Sequence, residues 1–256
     1  MRALGACVVA LACATAAAAR ADDFHIDTAL YVGDDKEPRS ENVTLFHSGQ
    51  VYDFTADGGE ITVFDPARAR FVLLDPQRQV QVELPTAEIE GFARQLQRNA
   101  ATRKAAELKF LGDPQFNEAI DPATGASTYS SPWLTYRLRT ESARTEEASR
   151  QYGEFSDWYA RLNTMTNDTP LPLARLAINA RLKERRLIPV EVTRTMVQQR
   201  GLIKQEVVVR TEHHVTWGLN ANDLDRVTRV GVDLARFETV TYEKYRARQN
   251  EDAPAN

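Results

Sequence analysis

Residues 63–85, "VFDPARARFVLLDPQRQVQVELP", carry one turn signal twice, Asp65-Pro66-Ala67-Arg68 and, ten residues on, Asp75-Pro76-Gln77-Arg78. Proline presets φ for the second position of a tight turn, and the Asp before it can accept a hydrogen bond from the backbone N–H two residues on. Around the two turns stand the short apolar runs "EITVF", "RARFVLL" and "RQVQVEL". Turns at that interval fold three strands into an antiparallel meander and place themselves at opposite ends of the sheet. The two Asp residues therefore read as turn formers, because the meander keeps them too far apart to share acid–base work.

The same punctuation extends toward the N-terminus. In "FHIDTALYV" Phe24, Ile26, Thr28, Leu30 and Val32 alternate with His25, Asp27, Ala29 and Tyr31, the period of a half-buried strand. "NVTLFHSG" and "VYDFTA" flank Ser48-Gly49-Gln50 as a hairpin, and Asp57-Gly58-Gly59 makes the next turn.

Toward the C-terminus the period changes. After Pro85, Ile89, Phe92, Ala93, Leu96 and Ala100 fall on one face of an amphipathic helix, with Thr86 as its expected N-cap. A Pro- and Gly-dotted stretch then returns to strands, with a turn at Asp121-Pro122-Ala123-Thr124-Gly125 and Leu134, Tyr136 and Leu138 alternating with Thr135, Arg137 and Arg139. In "TEEASRQYGEFSDWYARLNTM", Ala148, Tyr152, Phe155, Tyr159 and Leu162 make one helical stripe. The stripe serves either core packing or an apolar ligand, since period reports burial and not what is buried.

A third helix over residues 171–186 ends in "RLKERR", whose charges complement the helix dipole at a solvated end. Two long strands follow, joined at Gln198-Gln199-Arg200-Gly201. In the second, Ile203, Val207, Val209, Val215 and Trp217 share a face with Gln205, Thr211 and His213, while His214 sits opposite with Glu206, Arg210 and Glu212. A last helix is capped near Asn220 or Asn222, carries Leu224, Val227, Gly231 and Leu234 on one side, and is expected to continue through "FETVTYEKY". Residues 22–246 read as a single domain and residues 247–256 as a disordered tail.

Residues 1–21, "MRALGACVVALACATAAAARA", have the layout of a secretory signal peptide: one early Arg2, an apolar run, and Ala19-Arg20-Ala21 before Asp22. A rival reading treats Val9-Ala10-Leu11-Ala12-Cys13 as a lipobox, with Cys13 the lipidated first residue. Cys7 and Cys13 are the two cysteines, so cleavage after Ala21 leaves no thiol for disulfides, metal binding or catalysis. Without Arg2 and Arg20 the chain holds 30 basic and 36 acidic residues, a net charge of −6. That balance argues against a nucleic-acid partner. No apolar run reaches the ~20 residues a transmembrane helix needs. The sequons at Asn42 and Asn167 matter only in a glycosylating host.

Motifs for chemistry are sparse. The chain contains no G-x-S-x-G, H-E-x-x-H, P-loop or G-x-G-x-x-G, and no cofactor is expected. Adjacent His213 and His214 on a strand point to opposite faces and cannot chelate one ion without a bulge. His213 reads as a core histidine and His214 as a surface one, while His25 and His47 lie in separate strands that nothing requires to meet. No catalytic or metal-binding residue is assigned.

The export layout, the hairpin run from Val51 to Leu84 and the helices inserted between strand blocks resemble the periplasmic lipoprotein-carrier-like half-barrel superfamily of LolA and LppX type. The resemblance covers residues 24–217 and is one of pattern, with no diagnostic motif that transfers a residue role. It implies an α+β fold in which a curved antiparallel sheet, half-barrel-like, holds the inserted helices on its concave face around an apolar space for acyl chains. Phe92, Leu96, Tyr152, Phe155 and Tyr159 are the candidate lining residues. The leading expectation is an envelope binding protein for a lipid-like or apolar group, without catalysis. The alternatives are a scaffold with a solid core that binds another envelope protein, and a hydrolase with His213, His47 or His25 beside a Ser or carboxylate in a cleft.

Overall fold

A computed structural model describes residues 22–166, 171–200 and 203–252. The signal-like residues 1–21 and the Asn167 sequon lie outside them. The first six strands, β1 (Phe24–Val32), β2 (Ser40–His47), β3 (Gln50–Thr55), β4 (Ile61–Asp65), β5 (Arg70–Asp75) and β6 (Val80–Pro85), form an unbroken antiparallel meander. The β2–β3 turn places Ser48 and Gly49 at φ 51° and 80°, both left-handed, a twist that suits a two-residue hairpin.

The two Asp-Pro turns share one mechanism, and its donor is three residues on rather than two. Asp65 Oδ1 accepts the Arg68 backbone N–H at 3.2 Å, and Asp65 Oδ2 accepts from the Arg68 guanidinium at 2.7 Å. Asp75 repeats this with Arg78 at 2.9 and 2.7 Å. The Arg at the fourth position is thus part of the signal, since it neutralises the carboxylate that holds the turn. In each turn the residue after that Arg, Ala69 or Gln79, is left-handed, which lets the next strand re-enter the sheet.

The helical stretch after β6 breaks in two, α1 (Thr86–Ala101) and α2 (Ala106–Gly112). Thr86 does not cap α1. Pro85 holds the cap position, and the Thr86 hydroxyl donates to the Ala69 carbonyl at 3.0 Å, anchoring the helix to the β4–β5 turn. Three strands follow, β7 (Asn117–Ile120), β8 (Ser127–Ser130) and β9 (Leu134–Ser142), then α3 (Glu146–Thr166) and α4 (Leu173–Glu184). Gly153 lets these two helices approach, because a Cβ there would sit 2.8 Å from the Lys183 stem. The basic end of α4 is exposed but also paired: Lys183 with Asp157, Arg185 with Glu118 at 2.5 Å, and Arg186 with Glu146 at 3.0 Å.

The long hairpin is β10 (Leu187–Arg200) and β11 (Ile203–Trp217). Gln198, Gln199 and Arg200, read as turn residues, remain in β10, and the turn at residues 201–202 lies outside the described residues. The chain continues as α5 (Ala221–Arg236), β12 (Glu238–Thr239) and α6 (Tyr242–Asp252). Asn220, not Asn222, caps α5 through a reciprocal box with Asp223. α5 ends at Arg236, with Phe237 as its extended C-cap, instead of continuing, and α6 extends into the segment read as a disordered tail.

The twelve strands among the described residues join one open sheet in the order β12-β6-β5-β4-β3-β2-β1-β11-β10-β9-β8-β7, antiparallel throughout except for β12 on β6. β1 lies at the centre, paired with β2 on one side and β11 on the other. Alternation along each strand gives the sheet two faces. One carries Phe24, Phe46, Phe64, Phe71 and Val82 and is crossed by α3 and α6. The other carries Leu45, Tyr52, Phe54, Val72 and Leu74 under α5. The helices inserted between the strand blocks pack on the first, concave face, as expected; α5, the helix after β11, covers the opposite one. Its buried contact is Val230, flanked by Val227 and Leu234, while Leu224 is 41% exposed, so the stripe is rotated from the one read in the sequence.

Candidate functional site

The size of the inward-facing side chains varies along the sheet. On β4 to β6 they are Phe64, Phe71, Leu73, Val80, Val82 and Leu84, all buried, and Phe64 and Phe71 stack at 4.6 Å under α3. On β1 and β2 the same register holds Thr28, Ser40, Asn42 and Thr44, which are too short to reach the helix. The result is a solid core along one side of α3 and a cavity of about 530 Å³ along the adjoining side. That volume falls within the ~300–1,000 Å³ range of small-molecule pockets. Residues of β1 to β3 on one side and of β9 to β11 on the other line this single cavity, which is the geometric expression of the sheet's curvature.

Tyr152, Phe155 and Tyr159 of α3 line the roof together. Phe155 meets Phe46 edge-on at 5.8 Å and Tyr159 at 5.0 Å. Phe92 and Leu96 do not join them. Phe92 is 39% exposed and neither residue lines the cavity, because α1 turns Ile89, Ala93 and Ala100 inward instead. From the far wall come Trp133, Leu134 and Tyr136, and from α4 its first turn with Arg175.

Polar groups in the wall are organised around Asp53 and His213. Asp53, 4% exposed, accepts from Thr44 at 2.6 Å, Tyr159 at 2.8 Å and Asn42 at 3.0 Å. Burial raises its carboxyl above the usual range, and the three donors pull against that shift. The same burial, with the Asp53 charge beside it, pushes the Tyr159 phenol well up. His213 Nδ1 lies 2.9 Å from Thr28 Oγ1. Burial, aided by Arg175, lowers its pKa from 6.5 to about 4, so the imidazole is neutral at neutral pH.

The other histidines serve elsewhere. His25 faces α5, with Nδ1 donating to Asp223 at 3.1 Å and Nε2 to Asp27 at 3.0 Å. Burial alone would lower its pKa, but the two carboxylates reverse that and leave it raised above 6.5. His47 stands between Asp23, at 2.9 Å from Nδ1, and Ser48, at 3.3 Å from Nε2. This has the connectivity of a Ser–His–Asp relay, but it sits on an exposed hairpin turn. Asp23 also accepts the Ser48 backbone N–H at 3.2 Å, so the group staples the turn. His213 has no Ser–carboxylate pair, and among the described residues no cluster of three or more His, Asp, Glu or Cys is arranged to hold a metal.

Sequence reasoning passed over Asp53, Asn42, Arg175 and Arg194 as site residues. A signal for three of them was present: Asn42, Asp53 and Arg194 occupy inward positions of the alternation, where an apolar residue would be the rule.

No family model matches the chain, and no curated protein matches it. Among solved structures it is similar to a LolA superfamily protein from Nitrosomonas europaea, with 8% identity over 80% of this chain and 90% of the other and a TM-score of 0.32.

Proposed function

We propose that the protein is an exported, non-catalytic binding protein of the cell envelope that holds a lipid-like or apolar group between its sheet and helices. The observation that carries this reading is the cavity under α3, walled by aromatic and aliphatic side chains with a few fixed polar groups. A scaffold with a solid core needs the α3 stripe packed along its whole length, and the cavity favours the binding reading over it. Export is supported by the layout of residues 1–21. Among the described residues, no helix is long and apolar enough to cross a membrane.

The test is native mass spectrometry of the chain expressed with its own signal and purified from the envelope, beside the denatured protein. We expect extra mass of acyl-chain size that disappears on denaturation. A bare chain in every preparation would return the reading to the scaffold. Extra mass that survives denaturation would identify Cys13 as a lipid anchor.

A further inference from the structure

The cavity is not apolar all round. Arg175 and Arg194 both line it, both half-buried, and neither has a carboxylate within ion-pair distance among the described residues. Of the other half-buried arginines, Arg78 pairs with Asp75 at 2.6 Å and Arg70 with Glu83, while Arg161 and Arg226 rest on the rings of Trp158 and Phe54 and do not face this cavity. Drawing a guanidinium out of water without an anion is costly, so an unpaired one facing a cavity calls for a negative partner. Arg175 lies beside the Tyr152 hydroxyl and close enough to His213 to oppose its protonation.

The surroundings favour an anion at the same end. Arg175 belongs to the first turn of α4, whose N-terminus has no side-chain cap among the described residues, so free N–H groups and the helix dipole add positive potential there. Of the carboxylates in the wall, Asp53 already has three donors, and Glu107 at the α2 rim makes no ion pair with either arginine. The apolar part of the wall is Phe46, Trp133, Leu134 and Phe155, which suits an acyl chain.

We propose that the occupant is an acyl amphiphile with an anionic head, a carboxylate or a phosphate, whose charge is held by Arg175 and whose chain lies against those four side chains. This rests on the reading of the cavity as a ligand site and names the ligand's class. The guanidinium fork matches the paired oxygens of either head, and Arg194 supplies a second cation on the β10 wall.

The experiment titrates the full chain, below micelle concentrations, with palmitate, with a lysophosphatidate of the same chain length and with hexadecanol, following calorimetric heat and the tryptophan fluorescence to which Trp133 in the wall contributes. At least one of the anions binds about tenfold or more tighter than the alcohol, as a charge-assisted hydrogen bond provides. Which anion is preferred separates a carboxylate ligand from a phosphate one. Arg175→Gln removes the preference, bringing the anions down to the affinity of hexadecanol for the same variant, while Arg175→Lys keeps part of it. Equal affinity for all three probes in the wild type overturns the anionic head and leaves the apolar site standing. Binding of none overturns the site itself. The wild-type comparison needs no variant, so it decides the matter even if Arg175→Gln does not fold.

Discussion

Replacing Tyr159 by Phe removes one hydroxyl and leaves the ring against Phe155. That hydroxyl is one of three donors on Asp53, which is 4% exposed. A hydrogen bond to an ionised group contributes about 1.5–3 kcal/mol, and Asn42 and Thr44 remain on the carboxylate, so the expected loss is about 2 kcal/mol once the pH is above the folded value of Asp53. For a chain of this size that is a drop of roughly 4–8 °C in melting temperature. The loss depends on pH, and its sign follows from the direction of the Asp53 shift. Folding raises this carboxyl above 3.8, so the stability linked to it is full below 3.8 and is lost as the pH rises through the folded value. Without the phenol the folded value rises further, and the variant loses more over the same ascent. The gap between wild type and variant therefore widens with pH, and below 3.8 it shrinks toward the ~1 kcal/mol of a neutral hydrogen bond. Urea unfolding followed by circular dichroism across that range measures it. A gap that stays under about 0.5 kcal/mol at every pH, or one that does not change with pH, would refute the claim that Tyr159 holds the buried Asp53 carboxylate.

Two other predictions concern the histidines. His213 stays neutral down to about 4, so its NMR signals show no protonation between that value and 6.5. Its contribution to stability, roughly 3 kcal/mol, is present above 6.5 and is lost as the pH falls through the folded value. Titration near 6.5 would contradict its place in the wall. For His25 the sign is opposite: its pKa is raised, so its contribution is full below 6.5 and is lost as the pH climbs through the folded value. His25→Ala costs about 1–2 kcal/mol in the acidic range and less in the alkaline one; a cost that grows with pH would show that the link to Asp223 does not hold α5.

The strands were legible because each is short, alternating and bounded by Gly, Asp-Pro or Asn signals that have a local mechanism. The meander of β3 to β6 rests on interactions within a few residues, such as Asp75 with Arg78, so a sequence displays them directly. Long-range placement was less legible. Phe92 and Ile89 are equally apolar members of one stripe, and only the tilt of α1 on the sheet decides that Ile89 is buried and Phe92 is not. Leu224 and Val230 pose the same problem on α5. The cavity depends on a mismatch in length between short β1–β2 side chains and a helix more than a hundred residues later in the chain. The alternation at Thr28, Asn42 and Thr44 marks the inward face, but nothing local tells that α3 will span above them. Arg175 reads as one more helical cation until α4 is docked.

The central position of β1 has a consequence for how the molecule comes into being. Phe24 pairs with Trp217, and Val32 with Val209, across most of the chain's length. The meander of β1 to β6 and that of β7 to β11 can each form from neighbours in sequence, yet each then presents an open edge until the other arrives. The seam between them is the contact of greatest separation, so its closure is the slow, entropically expensive step of folding. Until β11 has been made, the edge of β1 is free to pair with another chain. A chain that folds only after synthesis is complete, as one threaded across a membrane does, never exposes that half-finished sheet for long. The order of strands in space thus favours a protein kept unfolded until its last strand is in hand.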